Sequence, residues 1–450
     1  MLKKEKYGKK SKIKKIKENN FCYSNFIINR CWCGGYFAYK NIIENQKQTK
    51  TIDDGKKDKN IPSKKIEENS QISQTERNKL TSLQKNETIY VRPPFGAKFL
   101  IKANNKDLSV VFDHFDSPDK RKKDKYKEKS PSFSLVDSNT KKSDLNKQGA
   151  QEVSEFLGIE NLLKYYRDEF KSSLTIFGGD TNIKNENYYL ARKFSDEIES
   201  TLDKNLKFKG YGEKYLTSLG TKGNYSNQYD KMFFINNDKE NFGIDTIKGD
   251  TVKEYKIDIY KTFKYFIEKD ILKRLNDFKE SKNDNLTIRN RISDHAPVFS
   301  DVNLKNVTKI ENIKVDSTLL QGYEGLRKSD KTLRIAHWNI LNYNGGKAKS
   351  LAIANIIYKS GFDLVGLTEI NDKAGETVKE IVDNLNTLDN SQRFKFIVQN
   401  REDTIIPQFL IDQQRFGKDQ TEQVAIIYDS KNFEFKESKS YTKLIKYFVD

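Results

Sequence analysis

Apolar residues are distributed unevenly along the 450-residue chain, and their spacing divides it into blocks. Residues 44–87 are Lys, Asn, Gln, Ser and Asp with few large apolar side chains, the composition of a linker that cannot bury enough surface to order itself. Short apolar runs begin at Thr88. Segments 88–91, 97–101 and 108–112 (LSVVF) have the length and the β-branched and aromatic content of strands. Residues 119–147 return to Lys, Asp and Ser and read as a surface loop. Over 148–166, Val153, Phe156, Leu157 and Leu163 fall on one side of a helix. Strand SLTIFGGD (173–180) follows, then a helix near 187–202 and strands DKMFFI (230–235) and APVFSDVNL (296–304). Between those two strands, 255–280 reads as a helical insert with Tyr260, Phe263, Phe266 and Ile267 on its apolar face.

After a polar connector over 306–330, a second ordered block starts. LRIAHWNIL (333–341) and DLVGLTEI (363–370) read as buried strands, separated by a helix over 347–359 with Leu351, Ala354 and Ile357 at helical spacing. A helix over 374–388 (Val378, Ile381, Val382, Leu385) precedes strands RFKFIV (393–398) and QVAIIYD (423–429). No internal repeat is visible. Strands mixed with flanking helices predict an α/β or α+β sandwich.

Composition narrows the function classes. Three clustered cysteines (Cys22, Cys31, Cys33) exclude a disulfide-dense scaffold, and Cys31-Trp32-Cys33 lacks the further ligands of a structural metal site. Seven prolines and 23 glycines exclude collagen-like and Pro/Gly-rich disordered chains. No apolar run approaches the roughly 20 residues of an ordinary transmembrane helix. The formal net charge is +18, from 82 basic and 64 acidic residues, which favours a polyanionic partner, either nucleic acid or an acidic membrane face. Abundant Lys, Asn and Ile with scarce Pro is also how an AT-rich coding sequence looks, so charge alone decides nothing. The chain begins with a dense run from Lys3 to Lys17, followed by a stretch too polar for a signal-peptide core. It reads as a basic tether able to meet a membrane surface, with a cytoplasmic location as the other reading.

The candidate chemistry lies where apolar runs stop. Asn339 follows LRIAHW, Glu369 follows DLVGLT, Asp180 and Asn182 follow SLTIFGG, Asp230 opens DKMFF, and Asp294-His295 precede APVF. Ligands at strand ends can converge on one rim of a sandwich, and oxygen donors suit Mg²⁺ or Mn²⁺. Each such residue taken singly is most simply a turn residue. As a set they resemble the endonuclease/exonuclease/phosphatase superfamily, the fold of DNase I and of exonuclease III-type AP endonucleases. The motifs are HWNILN (337–342), DLVGLTEI (363–370), EQVAIIYD (422–429), FDHFDSP (112–118), GGDTN (178–182), QYDKMFF (228–234) and ISDHAPV (292–298). LTEIN, YVRPPFG and HFDSP are most similar to membrane-associated nucleases of wall-less bacteria. The resemblance covers roughly 88–305 and 331–450 and implies a four-layer α/β/β/α sandwich.

The order of the motifs departs from the family. There the HWN, TEI and EQVAIIYD segments come first; here they follow the central His, GDTN, YD and SDH segments. One explanation is a circular permutation, in which 331–450 packs onto 88–305 and one chain completes one site. The other is a truncated tandem whose site needs a second molecule or never forms. Permutation is favoured: a connector of about 25 residues spans up to roughly 80 Å, and an isolated half would leave a sheet edge and an apolar face uncovered. The chain is then a monomer, or else one member of a complementing dimer.

The resemblance also implies roles. Glu369 is the principal metal ligand, supported by Asn339 and Asp294, with Mg²⁺ (or Mn²⁺/Ca²⁺) as cofactor. Asp180 and Asn182 orient the attacking water and hold the scissile phosphate. His295, oriented by Asp230, is the general acid/base or the donor to a phosphate oxygen, and His114 is positioned by Glu422. The third histidine, His337, reads as structural. The implied activity is phosphodiester hydrolysis on DNA, with RNA as a second substrate and little sequence preference. A phosphorylated lipid or inositol head group, or an inactive split domain, are the alternatives. Asn371 stands where DNase I-like sequences often have Arg, and Gln420 where an aromatic is usual, so sequence preference is not inherited.

Overall fold

The computed structural model describes residues 88, 90–118, 145, 148–249, 251, 253–266, 284–313, 326–371, 376–404 and 422–442. The basic run, the two-cysteine motif, the 44–87 linker, Gln420, most of the predicted 119–147 loop and residues 314–325 of the connector lie outside these residues. The first sheet is built from β1 Phe95–Ile101, β2 Lys106–His114, β3 Leu174–Asp180 and β5 Asp230–Asn236, with the two-residue β4 Glu199–Ser200 and the polar β12 Phe433–Ser440 at its edges. Their order is β12-β1-β2-β3-β5-β4. The second sheet runs β10 (Phe394–Val398), β11 (Gln423–Asp429), β9 (Leu364–Ile370), β8 (Thr332–Tyr343), β7 (Val298–Leu304), β6 (Phe242–Ile244). Each sheet therefore contains strands from both sides of the connector. β12 of the late segment pairs antiparallel with β1 of the early one, and β7 of the early segment pairs antiparallel with β8 of the late one.

Side-chain alternation sorts the core into layers. Along β8, Leu333 and Ile335 join the cluster between the sheets, while Ala336, Trp338 and Ile340 join the cluster under the helices. β9 and β11 divide likewise: Leu364 and Ile426 face inward, Val365 and Ile427 outward. Helices α1 (Ala150–Leu157) and α2 (Ile159–Phe170) cover the first sheet, and α5 (Lys347–Lys359) and α6 (Glu376–Asp389) cover the second. Two short helices, α3 (Ile259–Phe266) and α4 (Asp284–Arg291), complete the described α-helices. The architecture is the expected four-layer α/β/β/α sandwich.

The sheets approach closely where glycine removes the side chain. A Cβ on Gly366 of β9 would overlap the Phe112 ring of β2, and one on Gly178 would come within 2.8 Å of the His337 Cβ. Gly178 and Gly366 lie on the strands that carry Asp180 and Glu369, so this contact sets the spacing of the site's two walls. Gly366→Ala is expected to lower stability by about 1–3 kcal/mol through overpacking. The check is the urea midpoint, and an unchanged midpoint would mean the sheets have slack here.

Four sequence expectations differ from the structure. The 148–166 helix is two helices meeting at Gly158, where a Cβ would crowd the Thr88 and Tyr90 side chains. The 187–202 helix is a 3-10 turn, Asn185–Lys193, followed by extended β4. Tyr188, Ala191 and Phe194 are buried at a three-residue period, which suits 3.0 residues per turn rather than 3.6. Of the predicted 88–91 strand, the described residues 88, 90 and 91 form no strand: the Val91 N–H donates to the Glu155 carboxylate at 2.6 Å instead of to a ladder. The 255–280 insert is helical over Ile259–Phe266 only: 255–258 are not helical, Lys256 forming an antiparallel bridge with Val298, and 267–280 lie outside the described residues. Among the described residues, no helix is long and apolar enough to cross a membrane.

Candidate active site

Strand register alone brings three site residues together. β2 and β3 are parallel with His114 opposite Asp180, and β3 and β5 are antiparallel with Asp180 opposite Asp230. The opposing wall comes from the second sheet, where Asn339 of β8 stands opposite Thr368 of β9. Asn339 shares the inward parity of Leu333 and Ile335, so its side chain reaches across the gap. Its Nδ2 donates to Asp180 Oδ2 at 3.0 Å and to Glu369 Oε1 at 2.8 Å. That amide is the bridge between the carboxylates of the two segments.

Glu369 is one residue out of phase with this pattern, since Val365 and Leu367 point outward. The backbone corrects the phase: Glu369 has φ +61°, a left-handed conformation that turns its side chain toward Asn339. Leu341 and Asn342 are also left-handed, at φ +50° and +45°, where the β8–β9 register slips. This bulge aims the Asn342 N–H at Glu369 Oε2, 2.7 Å away. Lys349 braces it by donating to the Leu341 carbonyl at 2.5 Å. Three strained non-glycine residues around one carboxylate are the kind of local cost that persists at functional sites.

The two imidazoles flank Asp180. His295 Nδ1 lies 2.7 Å from Asp230 Oδ2, and its Nε2 lies 3.4 Å from Asp180 Oδ2. Burial alone would pull its pKa down, but the Asp230 and Asp180 carboxylates outweigh that and hold it well above the ordinary histidine value. Asp230 is correspondingly lowered: burial raises it, and the His295 and His337 imidazoles prevail. His114 Nδ1 lies 2.8 Å from Glu422 Oε2, and its Nε2 is 3.5 Å from the same Asp180 oxygen. Burial and the Arg92 charge lower its pKa, Glu422 and Asp180 raise it, and the net is upward. His114 Nδ1 is also 3.8 Å from Glu369 Oε1.

Asn182 and Asp294 join the site less directly. Asn182, at φ +53°, donates its backbone N–H to Asp180 Oδ1 at 3.1 Å and its side chain to the Phe115 carbonyl at 3.2 Å. Asp294 lies outside the hydrogen-bonded set. Its Oδ2 is 3.6 Å from Arg289, and its buried Oδ1 has no hydrogen-bond partner among the described residues. Asp294 and Glu369 nevertheless both act on Lys349, whose ammonium burial draws down to about 8 against their pull. His337 is fully buried beneath the site, with Nε2 3.2 Å from Thr368 Oγ1 and Nδ1 3.5 Å from Asp230 Oδ1. Asn371 donates to Asn342 Oδ1 at 2.6 Å, beside the strained bulge.

Two groups of donors could hold a divalent cation. Asp180, Asp230 and His295 are buried and converge within 4.8 Å. In the present geometry both His295 nitrogens face carboxylates, which a protonated imidazole satisfies without an ion, and a nitrogen carrying a proton has no lone pair to give a metal. The second group, Glu369 with Asn339 and Asp294, offers carboxylate oxygens that suit a hard ion, the orphaned Asp294 Oδ1 among them, while Asn339 turns its Nδ2 toward Glu369 and its Oδ1 accepts from the Leu341 N–H at 3.0 Å.

No family model matches the chain. An uncharacterized protein of Mycoplasma pneumoniae is 29% identical over 153 residues, which are 33% of this chain and 27% of that protein. The chain thus spans about a quarter of the length of that curated relative. A crystal structure of humanized D. rerio TDP2 with 14 mutations is similar at a TM-score of 0.19 and 12% identity, over 31% of this chain and 45% of that one. A likeness this slight leaves fold and chemistry to rest on the chain's own geometry.

Arg92 and Lys349 are the site neighbours that motif reading passed over. Arg92 lay within the quoted YVRPPFG, and nothing in its spacing tied it to Glu422, 330 positions away. Its consequence is electrostatic. Burial would push the Glu422 carboxyl up, yet the Arg92 and His114 charges hold it at about 2. A folded value below the ordinary 4.5 means that the unfolded chain binds more protons between those limits. The ion pair's contribution, at most about 3 kcal/mol, is full above pH 4.5 and disappears as pH falls toward 2. Glu422→Gln is therefore expected to lower the unfolding temperature at pH 7, with the gap from wild type narrowing steadily below pH 4.5. A gap independent of pH would contradict the assignment.

Proposed function

We propose that the chain is a divalent-metal-dependent nuclease that hydrolyses phosphodiester bonds of DNA, and of RNA as a second substrate, with low sequence specificity. The observation that carries the reading is the convergence of two carboxylate-backed imidazoles, His114–Glu422 and His295–Asp230, on one oxygen of Asp180, with Glu369 bridged to it through Asn339. A structural ion pair needs one imidazole, whereas acid–base chemistry on a phosphodiester uses a donor and an acceptor on opposite faces. Mg²⁺ (or Mn²⁺/Ca²⁺), held by Glu369 with Asn339 and Asp294, would supply positive charge that neutralises the phosphodiester.

The remaining work falls to the protein. Asp180, held by Asn339 and the Asn182 N–H, would orient a water for in-line attack and accept its proton. His295, kept protonated by Asp230, would donate Nε2–H to a phosphoryl oxygen or to the leaving 3′ oxygen. His114, whose Nδ1 faces Glu422, would present Nε2 to the opposite side of the phosphate. Permutation is part of this proposal, with 331–450 standing as the N-terminal-type half of the domain and 88–305 as the other. A membrane surface remains the proposed partner of the lysine-rich first residues.

The test is a substrate panel of supercoiled plasmid, single-stranded RNA and phosphoinositide vesicles, each with Mg²⁺ or Mn²⁺/Ca²⁺ and with EDTA. Plasmid nicking lost in EDTA is the expected result. Phosphate release from lipid without nicking would move the same site to another substrate. Silence on all three would leave a binding or inactive domain.

A further inference from the structure

Arg92 is 7% exposed and sits in the turn entering β1, one strand from the proposed site. A buried arginine beside a phosphodiester site invites assignment as a phosphate ligand. Its burial and its partners point to another role. Nε lies 2.9 Å from Glu422 Oε2, and Nη2 donates to Glu422 Oε1 at 3.0 Å. Nη1 donates to the carbonyls of His114 and Phe115 at 3.1 and 2.9 Å. Both Nη atoms are hydrogen-bonded and Nε, which makes no hydrogen bond, is ion-paired, so the planar fork holds both the carboxylate that orients His114 and the backbone that carries it. The mount is itself fixed: the Pro93 carbonyl accepts from Gln399 Nε2 at 2.8 Å and the Pro94 carbonyl from the Tyr166 hydroxyl at 3.0 Å.

We propose that Arg92 is a positioning residue for the His114–Glu422 pair, acting on the reaction only through that pair and never through phosphate. The proposal rests on the nuclease reading. It also gives the two chain segments a shared part, because Arg92 and His114 precede the connector and Glu422 follows it. Lysine cannot replace Arg92 on this account. A single ammonium keeps the buried charge but cannot span two carboxylate oxygens and two carbonyls at once.

The experiment compares wild type, Arg92→Gln and Arg92→Lys in plasmid nicking across a salt series, with ¹⁵N spectra of the imidazoles alongside. The chain has only three histidines, so their signals can be assigned. Both variants are expected to lose kcat by roughly 10- to 100-fold, the usual effect of removing a group that orients a reacting side chain. KM and the dependence of kcat/KM on salt should stay at wild-type values. A retained kcat with a raised KM, and a log–log salt slope reduced by about one, is the signature of a lost phosphate contact and would overturn the proposal. Full rescue by lysine would overturn it too, since charge alone would then suffice. Arg92→Lys keeps the test alive if the glutamine variant does not fold. The ¹⁵N spectra need no activity. His114 should hold one tautomer, protonated at Nδ1, in wild type and lose that preference in both variants; an unchanged tautomer would refute the role. If wild type cleaves nothing, the nuclease reading fails while the spectra still decide whether Arg92 positions His114.

Discussion

Glu369→Gln is expected to lower the metal-dependent nicking rate at least about a hundredfold, the scale of an electrostatic group that acts on the transition state. The substitution preserves volume but removes the charge that the left-handed Glu369 backbone brings to the rim. Glutamine can still accept from one of the two donors that hold Glu369, Asn339 Nδ2 and the Asn342 N–H. The other donor would face an NH₂ group, so a modest stability loss of about 1 kcal/mol accompanies the change. The catalytic loss is far larger than that, which separates the two effects. Raising Mg²⁺ should recover little, because the proposed principal anionic ligand would be gone. Initial rates against metal concentration check this, and a variant within tenfold of wild type would remove Glu369 from the centre of the site.

His295→Ala should fall at least as far, about a hundredfold or more, because proton donation and charge stabilisation fail together. Removing the imidazole also leaves Asp230 fully buried with its main partner gone, a penalty of about 3–5 kcal/mol. Stability must therefore be measured beside rate. His295→Gln refines the test, since a neutral amide can donate to Asp230 and support folding but cannot transfer a proton. The expected result is a folded His295→Gln protein nearly as inactive as the alanine variant. Combining His295→Ala with Glu369→Gln should cost much less than the product of the single losses, because groups acting on one transition state are not additive. Strict multiplication of the two losses would mean they serve separate sites.

The sequence disclosed the strands through their apolar runs, and it disclosed the site because the polar residues ending those runs were of one chemical kind. β8, β9, β11 and α5 appear close to their predicted bounds, since two-sided burial leaves continuous apolar segments in β9 and β11 and helical spacing in α5. β12 escaped notice for a physical reason. FEFKESKS is an edge strand in which only Phe433 and Ser440 are buried, so lysine and glutamate dominate its pattern. Three of the decisive site features rest on geometry that a pattern does not carry. Glu369 reaches the cluster only because its backbone leaves the strand conformation. Arg92 depends on a pairing across 330 positions, and the brace from Lys349 to the Leu341 carbonyl depends on a helix packing back on a bulge. The pairing of β1 with β12 and of β7 with β8 joins the early and late segments, whose residues meet within hydrogen-bonding distance at Asn339.

The central claim, that one chain assembles one hydrolytic site from its early and late segments, is tested most directly by mixing two inactive proteins. His295→Ala damages the early segment, and Glu369→Gln damages the late one. The account predicts that wild type nicks plasmid with Mg²⁺ and loses this in EDTA, that each variant is inactive, and that their equimolar mixture stays inactive. Recovery of nicking in the mixture would show sites completed between molecules, and a wild-type chain silent with every metal would show no such site at all.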